Sequence, residues 1–234
     1  MPGRRQAGAG AGKLKENPRM LVTRPLRLSI SLSAALAITA CTHVVPVTGT
    51  IPTPVVQSLP LSVGIYMDEE FRSFSHAEKR GAGEEWIIGS GKLNEEMFTR
   101  LFNSMFDQTV IMNALPEAGA GTEGLDAVLQ IKVTEFGFLT PRETGQRFFA
   151  VSFKYLLQLQ EPDGTQIANW PVVGYGKSPW SAFKDETGLR NATAIAIRDG
   201  AAAVALGFRR VPAIASWLES KGINEQGELT ETVE

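Results

Sequence analysis

The chain has 234 residues, of which 43% are hydrophobic and 21% are charged, as in an ordinary globular protein. Residues 1–40 hold seven basic residues and one acidic residue, which leaves 16 basic and 24 acidic residues in 41–234, a net charge of about −8. So acidic a region repels phosphate backbones, and no basic stripe with interleaved aromatic residues occurs, which argues against nucleic-acid binding. The single cysteine excludes an internal disulfide and a cysteine-rich metal site.

An uncharged segment near the N-terminus is typical of an export signal. Leu28–Ala40 contains 13 residues without a charge, too few to span a bilayer as a helix, which takes about 20 residues. Arg24 and Arg27 precede it like the positive region of a signal peptide. We therefore predict that residues 1–40 are a signal peptide. Because residues 1–19 are long and Gly/Ala-rich for such a region, we expect Met20 to be the true start.

The end of this segment, Ile38-Thr39-Ala40-Cys41, resembles the lipobox of bacterial lipoproteins, an aliphatic residue, two small residues and a cysteine. The resemblance implies that a diacylglycerol is attached to the Cys41 thiol, that the signal is cut before it, and that its new amino group is acylated. Several acyl chains are needed because one chain anchors only marginally, at about 0.8 kcal/mol per buried methylene. The alternative is that Cys41 is a buried free thiol after a short apolar helix.

The residue after the cysteine indicates whether the lipoprotein lies in the inner or the outer membrane. In many enteric-type bacteria an Asp at this position retains lipoproteins in the inner membrane, and this chain has Thr42. The resemblance therefore implies a bacterial cell-envelope location, lipid-anchored in the outer membrane and facing the periplasm.

Residues 41–60 are predicted to be a lipid-anchored tether. Four prolines in this stretch disfavour helix and central strand. His43 falls in the tether, so we do not expect it in a rigid site. Residues 61–220 are predicted to form a single α+β domain, and residues 221–234, with four glutamates, a disordered acidic tail.

Hydrophobic periodicity predicts the elements of this domain. The first half begins with a strand at Leu61–Met67, a polar loop over residues 68–85 and a short strand at Trp86–Ile88. A helix capped by Asn94 and ending near Asp107 follows, and then a strand at Thr109–Met112. The second half consists of alternating strands over residues 127–138 and 151–160, a turn at Glu161–Gly164, a returning strand over residues 165–176, an alanine-rich helix over residues 186–208 and a short helix over residues 212–218. Pro171 indicates an edge position or a bulge in the returning strand.

This order of elements predicts the fold class α+β. We expect a two-layer sandwich, in which a mixed sheet with a C-terminal antiparallel meander carries two helices on one face.

Sequence motifs for catalysis or metal binding are not found. A hydrolase would need His76 as a base beside Ser73 or Ser75, and neither serine lies in a nucleophile-elbow pattern. No histidine and carboxylate cluster has the spacing of metal ligands. We therefore expect no catalytic residue, no metal and no cofactor.

Aromatic residues are the remaining candidates for a functional surface. Core packing is the simpler interpretation, and an exposed apolar face for a protein or lipid partner is the functional one. The candidate interaction surface consists of Phe71, Phe74, Phe148, Trp170, Tyr175, Trp180 and Phe183.

The leading hypothesis is a non-enzymatic, lipid-anchored envelope lipoprotein that acts as an accessory or adaptor subunit. The order of elements resembles that of accessory lipoproteins of lipid-transport and outer-membrane assembly machines, which implies docking to a protein complex. One alternative is a self-assembling structural or secretion lipoprotein that pairs through the hairpin edge. Another is an envelope hydrolase with its site in residues 68–91. The sequence leaves the oligomeric state open.

Overall fold

The computed structural model describes residues 42–52, 54–80, 83–116, 122–180, 185–224 and 227–229. The predicted signal peptide, Cys41, Phe183 and half of the predicted acidic tail lie outside these residues, as does the side chain of residue 185.

A five-stranded mixed sheet forms the centre of the fold. Its strand order is β5-β2-β6-β7-β8, with β2 at Leu59–Met67, β5 at Phe106–Met112, β6 at Ala127–Leu139, β7 at Phe148–Gln160 and β8 at Gln166–Pro179. Strand β2 pairs in parallel with β5 and β6, while β6, β7 and β8 form an antiparallel meander. The predicted meander is therefore confirmed, and β8, which contains Pro171, is an edge strand.

Five α-helices occur in the described residues. They are α1 at Glu69–Arg72, α2 at Gly91–Met105, α3 at Pro141–Thr144, α4 at Asp185–Gly207 and α5 at Pro212–Ser220, with a 3-10 turn at Phe208–Arg210 before α5. Tyr155 of β7 contacts both Asn94 of α2 and Gly200 of α4. The two long helices therefore lie on the same face, which confirms the predicted α+β sandwich.

A second, three-stranded sheet was not predicted. It consists of β1 at Thr42–Pro46, β4 at Glu84–Gly89 and β3 at Ser75–Arg80, in the order β1-β4-β3. Strand β1 pairs in parallel with β4, and β3 pairs antiparallel with it.

This small sheet corrects two sequence predictions. The stretch predicted as a tether begins with strand β1, and Val45 and Val47 are buried in the core. The polar stretch predicted as a loop contains α1 and β3. Both β1 and β3 are edge strands, where proline and polar side chains are tolerated because one side of the backbone is unpaired. Neither strand therefore has the apolar alternation by which the longer strands are recognised.

The start of α2 also differs from the prediction. The helix begins at Gly91 after Ser90, and Asn94 is fully buried inside it instead of capping it. The Asn94 side-chain oxygen accepts a hydrogen bond of 2.8 Å from the hydroxyl of Tyr155. Burial raises the pKa of this tyrosine well above its ordinary value, so the hydroxyl stays protonated as a donor. The pair ties α2 to the centre of the sheet.

Helix α4 lies unusually close to strand β8, and glycines make this approach possible. A Cβ placed on Gly176 would lie 1.9 Å from the carbonyl oxygen of Ala192, and one on Gly174 would lie 2.2 Å from that of Ala196. The obstructing atoms belong to the helix backbone, which cannot turn aside as a flexible side chain can. Small residues on both elements therefore set the distance between helix and sheet.

We predict that Gly176→Ala lowers the free energy of unfolding by about 3 kcal/mol, at the upper end of the cost of overpacking a core. The matched control is Gly137→Ala in the same sheet, where the nearest atom to the new Cβ is the Ser152 hydroxyl oxygen at 3.5 Å, an ordinary contact. Urea unfolding followed by circular dichroism measures both variants. Equal midpoints would show that the helix moves away from the sheet at little cost.

Candidate functional site

The structure divides the aromatic candidates between the core and the surface. Phe71 is 1% exposed and Trp170 is 8% exposed, so neither belongs to an exposed interaction surface. Phe74 is half-buried and packs against the rings of Phe136 and Phe153. Apolar side chains on α1 and on the inner face of β8 point into the core because the helices and the small sheet cover that side. The prediction is therefore wrong for Phe71 and Trp170.

The other described candidates lie along β8 or next to its end. Tyr175, 52% exposed, is on the outer face of β8. Phe148 is half-buried, with the ammonium nitrogen of Lys177 at 3.6 Å from its ring centroid. Trp180 is half-buried and faces a cleft next to the small sheet. The aromatic candidates therefore do not form one continuous patch.

The cleft at Trp180 has a volume of about 350 Å³. Its aromatic lining is His43, Trp86, Phe149 and Trp180, and its charged lining includes Glu84, Arg142 and Arg147. We refer to it as the arginine–tryptophan cleft. Strands β1, β4 and β7, the loop that contains α3, and the residue after β8 all contribute to it, so that residues distant in sequence meet there.

Strand pairing places the histidine of this cleft. His43 of β1 is opposite Trp86 of β4 in the parallel register. The imidazole stacks on the indole with 4.2 Å between the centroids and 14° between the planes. The imidazole Nδ1 lies 3.6 Å from a carboxylate oxygen of Glu186. The expectation that His43 lies outside any rigid site is therefore wrong, because β1 is part of the fold.

The two arginines of the cleft are held by the turn at α3. Thr140 and Glu143 form a capping box in which the Thr140 N–H donates to the Glu143 carboxylate at 2.8 Å, and Pro141 opens the helix. Arg142 forms an ion pair with Glu84, and the guanidinium of Arg147 lies 5.1 Å from the Trp180 ring centroid. Thr140-Pro141-Arg142-Glu143 is a helix-start signal in the sequence, and it could have pointed to this turn.

One polar group in the cleft wall lacks a partner. Trp86 is 4% exposed, and its indole N–H forms no hydrogen bond with any residue that the structure describes. A buried donor without an acceptor costs about 1–3 kcal/mol. Trp86 therefore brings an unsatisfied indole N–H to the wall of the cleft.

A second polar group of interest is the Arg80 cluster, which consists of His76, Glu78, Arg80 and Glu143. Arg80 donates to Glu78 at 3.1 Å and to the carbonyl of Phe138 at 3.0 Å, and it forms an ion pair with Glu143. Its guanidinium carbon lies 3.8 Å from the Phe138 ring centroid. The cluster thus joins the edge of the small sheet to β6 and α3.

Both carboxylates of the Arg80 cluster have a lowered pKa. The hydrogen bond with His76 is the largest cause for Glu78, and Arg80 adds to it, while burial works in the other direction. Burial is the largest influence on Glu143 and raises its pKa, but hydrogen bonds from Thr140 together with Arg80 outweigh it. Both side chains are therefore stabilised as carboxylates in the folded state.

The geometry around His76 bears on the hydrolase alternative. The imidazole Nε2 lies 3.0 Å from a carboxylate oxygen of Glu78, and the Ser73 hydroxyl donates to the Glu69 carbonyl at 2.6 Å. Within the described residues no hydrogen bond joins His76 to Ser73 or Ser75. A nucleophile and base pair of the kind that a serine hydrolase uses is therefore not assembled in this arrangement.

We predict that the stability given by the Arg80 cluster is lost in acid. A lowered folded-state pKa makes a carboxylate stabilise the fold above its unfolded pKa, about 4.5, and this contribution disappears as the pH falls through the folded value. The double variant Glu78→Gln/Glu143→Gln should be less stable than the parent at pH 7, with the difference shrinking toward pH 3.

Urea midpoints measured from pH 7 to pH 3 test this dependence. Glu96→Gln, on the exposed face of α2, is the control and should follow the parent at every pH. A double variant whose urea midpoint lies below that of the parent by the same amount at pH 7 and at pH 3 would contradict the lowered pKa values of Glu78 and Glu143.

Two features are absent from the part of the chain that the structure describes. No group of three or more His, Cys, Asp or Glu side chains there is placed to hold a metal ion. No helix among the same residues is long and apolar enough to cross a bilayer.

In comparisons with known proteins, no protein-family model matches the chain, and no curated protein matches its sequence. Solved structures do resemble it. A protein of the family DUF330 from Xanthomonas campestris is similar with a TM-score of 0.50 and 13% identity, covering 76% of this chain and 99% of that protein.

Two other solved structures are less similar. A candidate lipoprotein from Caulobacter crescentus has a TM-score of 0.37 and 12% identity, over 56% of this chain and 83% of its own. The lipoprotein GNA1162 from Neisseria meningitidis has a TM-score of 0.30 and 14% identity, over 57% of this chain and 95% of its own. The Xanthomonas protein shares the fold with this chain, and the other two are too dissimilar to support an inference about it.

Proposed function

We propose that this protein is a lipid-anchored, non-enzymatic lipoprotein of the bacterial cell envelope, in the outer membrane and facing the periplasm, that serves as an accessory subunit of a transport or assembly complex. The observation that carries the proposal is the position of the lipobox cysteine. Cys41 immediately precedes Thr42, the first residue of β1. Lipid on Cys41 would thus be attached next to a strand of the folded region.

This attachment leaves no spacer between anchor and fold. Thr42 and His43 are paired with Glu85 and Trp86 of β4, and Val45 is fully buried. One residue of extended chain spans about 3.5 Å, so lipid on Cys41 would be attached within one residue's length of the small sheet. The end of the fold that carries β1 would lie against the membrane surface.

The outer face of β8 is the surface that we assign to the partner complex. Val173 and Tyr175 alternate on this face and are 57% and 52% exposed. Neighbouring apolar and aromatic side chains that remain exposed are typical of protein interfaces. Tyr175 is the one member of the predicted surface that is more exposed than buried among those described.

The edge of β8 is poorly suited to the alternative of self-assembly by strand pairing. The backbone N–H of Tyr175 donates to the Asp199 carboxylate of α4 at 2.9 Å, and Pro171 has no N–H to offer. Both features occupy or remove donors that a second copy would need for pairing along this edge. This arrangement favours an adaptor over a strand-paired oligomer.

We predict that Cys41→Ala abolishes labelling by radioactive palmitate in cells and leaves the unprocessed precursor. The variant removes the chain's only thiol, so no second site can accept the diacylglycerol. Labelling and precursor mobility on a gel measure the result, and the parent chain is the control. Palmitate retained on the variant would remove the basis of the proposal.

We predict that the partner complex is lost when the outer face of β8 becomes charged. The tagged parent and the variant Val173→Asp/Tyr175→Asp are purified from gently solubilised membranes, and the proteins recovered are identified by mass spectrometry. The matched control is Val110→Asp at the opposite edge strand β5, where Val110 is also half exposed. A transport or assembly complex should be recovered with the parent and the control but not with the double variant.

Two outcomes would contradict this assignment. Recovery of the same complex with the double variant would place the interface elsewhere on the molecule. Recovery of this chain alone, as a large species in sedimentation velocity, would favour the self-assembling alternative.

A further inference from the structure

We propose that the arginine–tryptophan cleft binds the phosphate of a membrane phospholipid headgroup. This inference rests on the proposed function, because lipid on Cys41 is what would bring the cleft to a bilayer. The ligand that it assigns to the cleft is an anionic phospholipid. The role of the cleft would be to fix the orientation of the fold on the membrane.

The position of the cleft supports a lipid as the source of the phosphate. His43 of the lining is two residues after Cys41, and it stacks on Trp86, which also lines the cleft. Two extended residues span about 7 Å. Acyl chains on Cys41 would therefore enter the bilayer within one headgroup's width of the cleft mouth, where phospholipid phosphates are the most concentrated anions.

The charges of the cleft suit a phosphate group. Arg147 has no carboxylate within ion-pair distance among the described residues, and its guanidinium lies beside Trp180. The side chain of Arg142 is 79% exposed and is paired with Glu84, so it can turn toward a second anion. Arginine binds phosphate through two parallel, charge-assisted hydrogen bonds.

The cleft wall supplies a donor as well as charge. The buried indole N–H of Trp86 lacks a partner among the residues that the structure describes, and a phosphate oxygen would satisfy it. Trp180 and Phe149 also line the cleft. Tryptophan is enriched at the membrane interface because its ring is apolar and its N–H is polar.

Nuclear magnetic resonance of the indole N–H groups tests the proposal. The mature lipoprotein, labelled with 15N-tryptophan and purified from membranes in dodecyl maltoside, is titrated with dihexanoylphosphatidylglycerol. We expect a saturable shift of the Trp86 signal, which Trp86→Phe identifies. The indole N–H of Trp217 donates to Glu161 at 2.9 Å, and its signal should not move.

Matched variants test the role of the arginines. Arg142→Gln/Arg147→Gln should weaken the response at least tenfold, as the loss of one charge-assisted hydrogen bond does. Arg209→Gln/Arg210→Gln, in the 3-10 turn before α5, removes the same charge elsewhere and should leave it unchanged. Unaltered signals of the other tryptophans in the free protein show that each variant is folded.

Three results would overturn the proposal. They are a Trp86 signal that does not move, an equal shift with dihexanoylglycerol, which lacks the phosphate, and an equal shift with inorganic phosphate, which would assign a soluble anion instead. Failure of the proposed function is detected by a different measurement. Palmitate labelling of the parent and of Cys41→Ala reports lipidation whether or not phospholipid shifts the Trp86 signal.

Discussion

The close contact between helix α4 and strand β8 sets the thickness of the whole sandwich. Gly174 and Gly176 bring the strand against the helix backbone at Ala192 and Ala196, so no side chain separates the two layers there. Where the layers approach so closely, the large aromatic side chains must be accommodated beside the contact. Tyr155 fills this space under Gly200, and its hydroxyl ties the sheet to α2 through Asn94. One small-residue contact thus fixes the place of both long helices and of the buried hydrogen bond between them.

The same layer continues beyond the helices into the small sheet. Strands β1, β4 and β3 cover the far ends of β6 and β7, where Trp86 packs against Phe138 and Phe149. The Arg80 cluster fastens the outer edge of this sheet to α3, and the pairing of β1 with β4 fastens the other edge. The arginine–tryptophan cleft lies between these two attachments. Its walls are therefore tied to the rest of the fold on both sides, and its lining includes His43, two residues after Cys41.

This arrangement relates the proposed anchor to the proposed partner surface. Lipidation next to β1 would orient the fold from one end, and the outer face of β8, with Val173 and Tyr175, would remain free along the side of the sheet. Anchor, headgroup site and partner surface would then be three separate parts of one molecule. Each can be altered at its own residues, which are Cys41 for the anchor, Arg142 and Arg147 for the headgroup site, and Val173 and Tyr175 for the partner surface.

The sequence by itself determined the long elements and the candidate lipid site. Strands β6 and β7 and helix α4 carry enough apolar periodicity to be recognised locally, and Cys41 is recognised by its neighbours in the chain. Tertiary structure alone decided which residues meet. The edge strands β1 and β3 are defined by backbone pairing with β4, which leaves little trace in side-chain pattern. His43 is therefore predicted to lie in a tether, although it stacks on Trp86. Phe71 and Trp170 are predicted at the surface and are buried, because other elements cover them. Asn94 is predicted as a cap and instead bonds to Tyr155 of a distant strand. The cleft combines β1, β4, β7, the loop that contains α3 and the residue after β8, so it depends on contacts between residues as far apart as His43 and Trp180. Periodicity along the chain carries no information about such contacts.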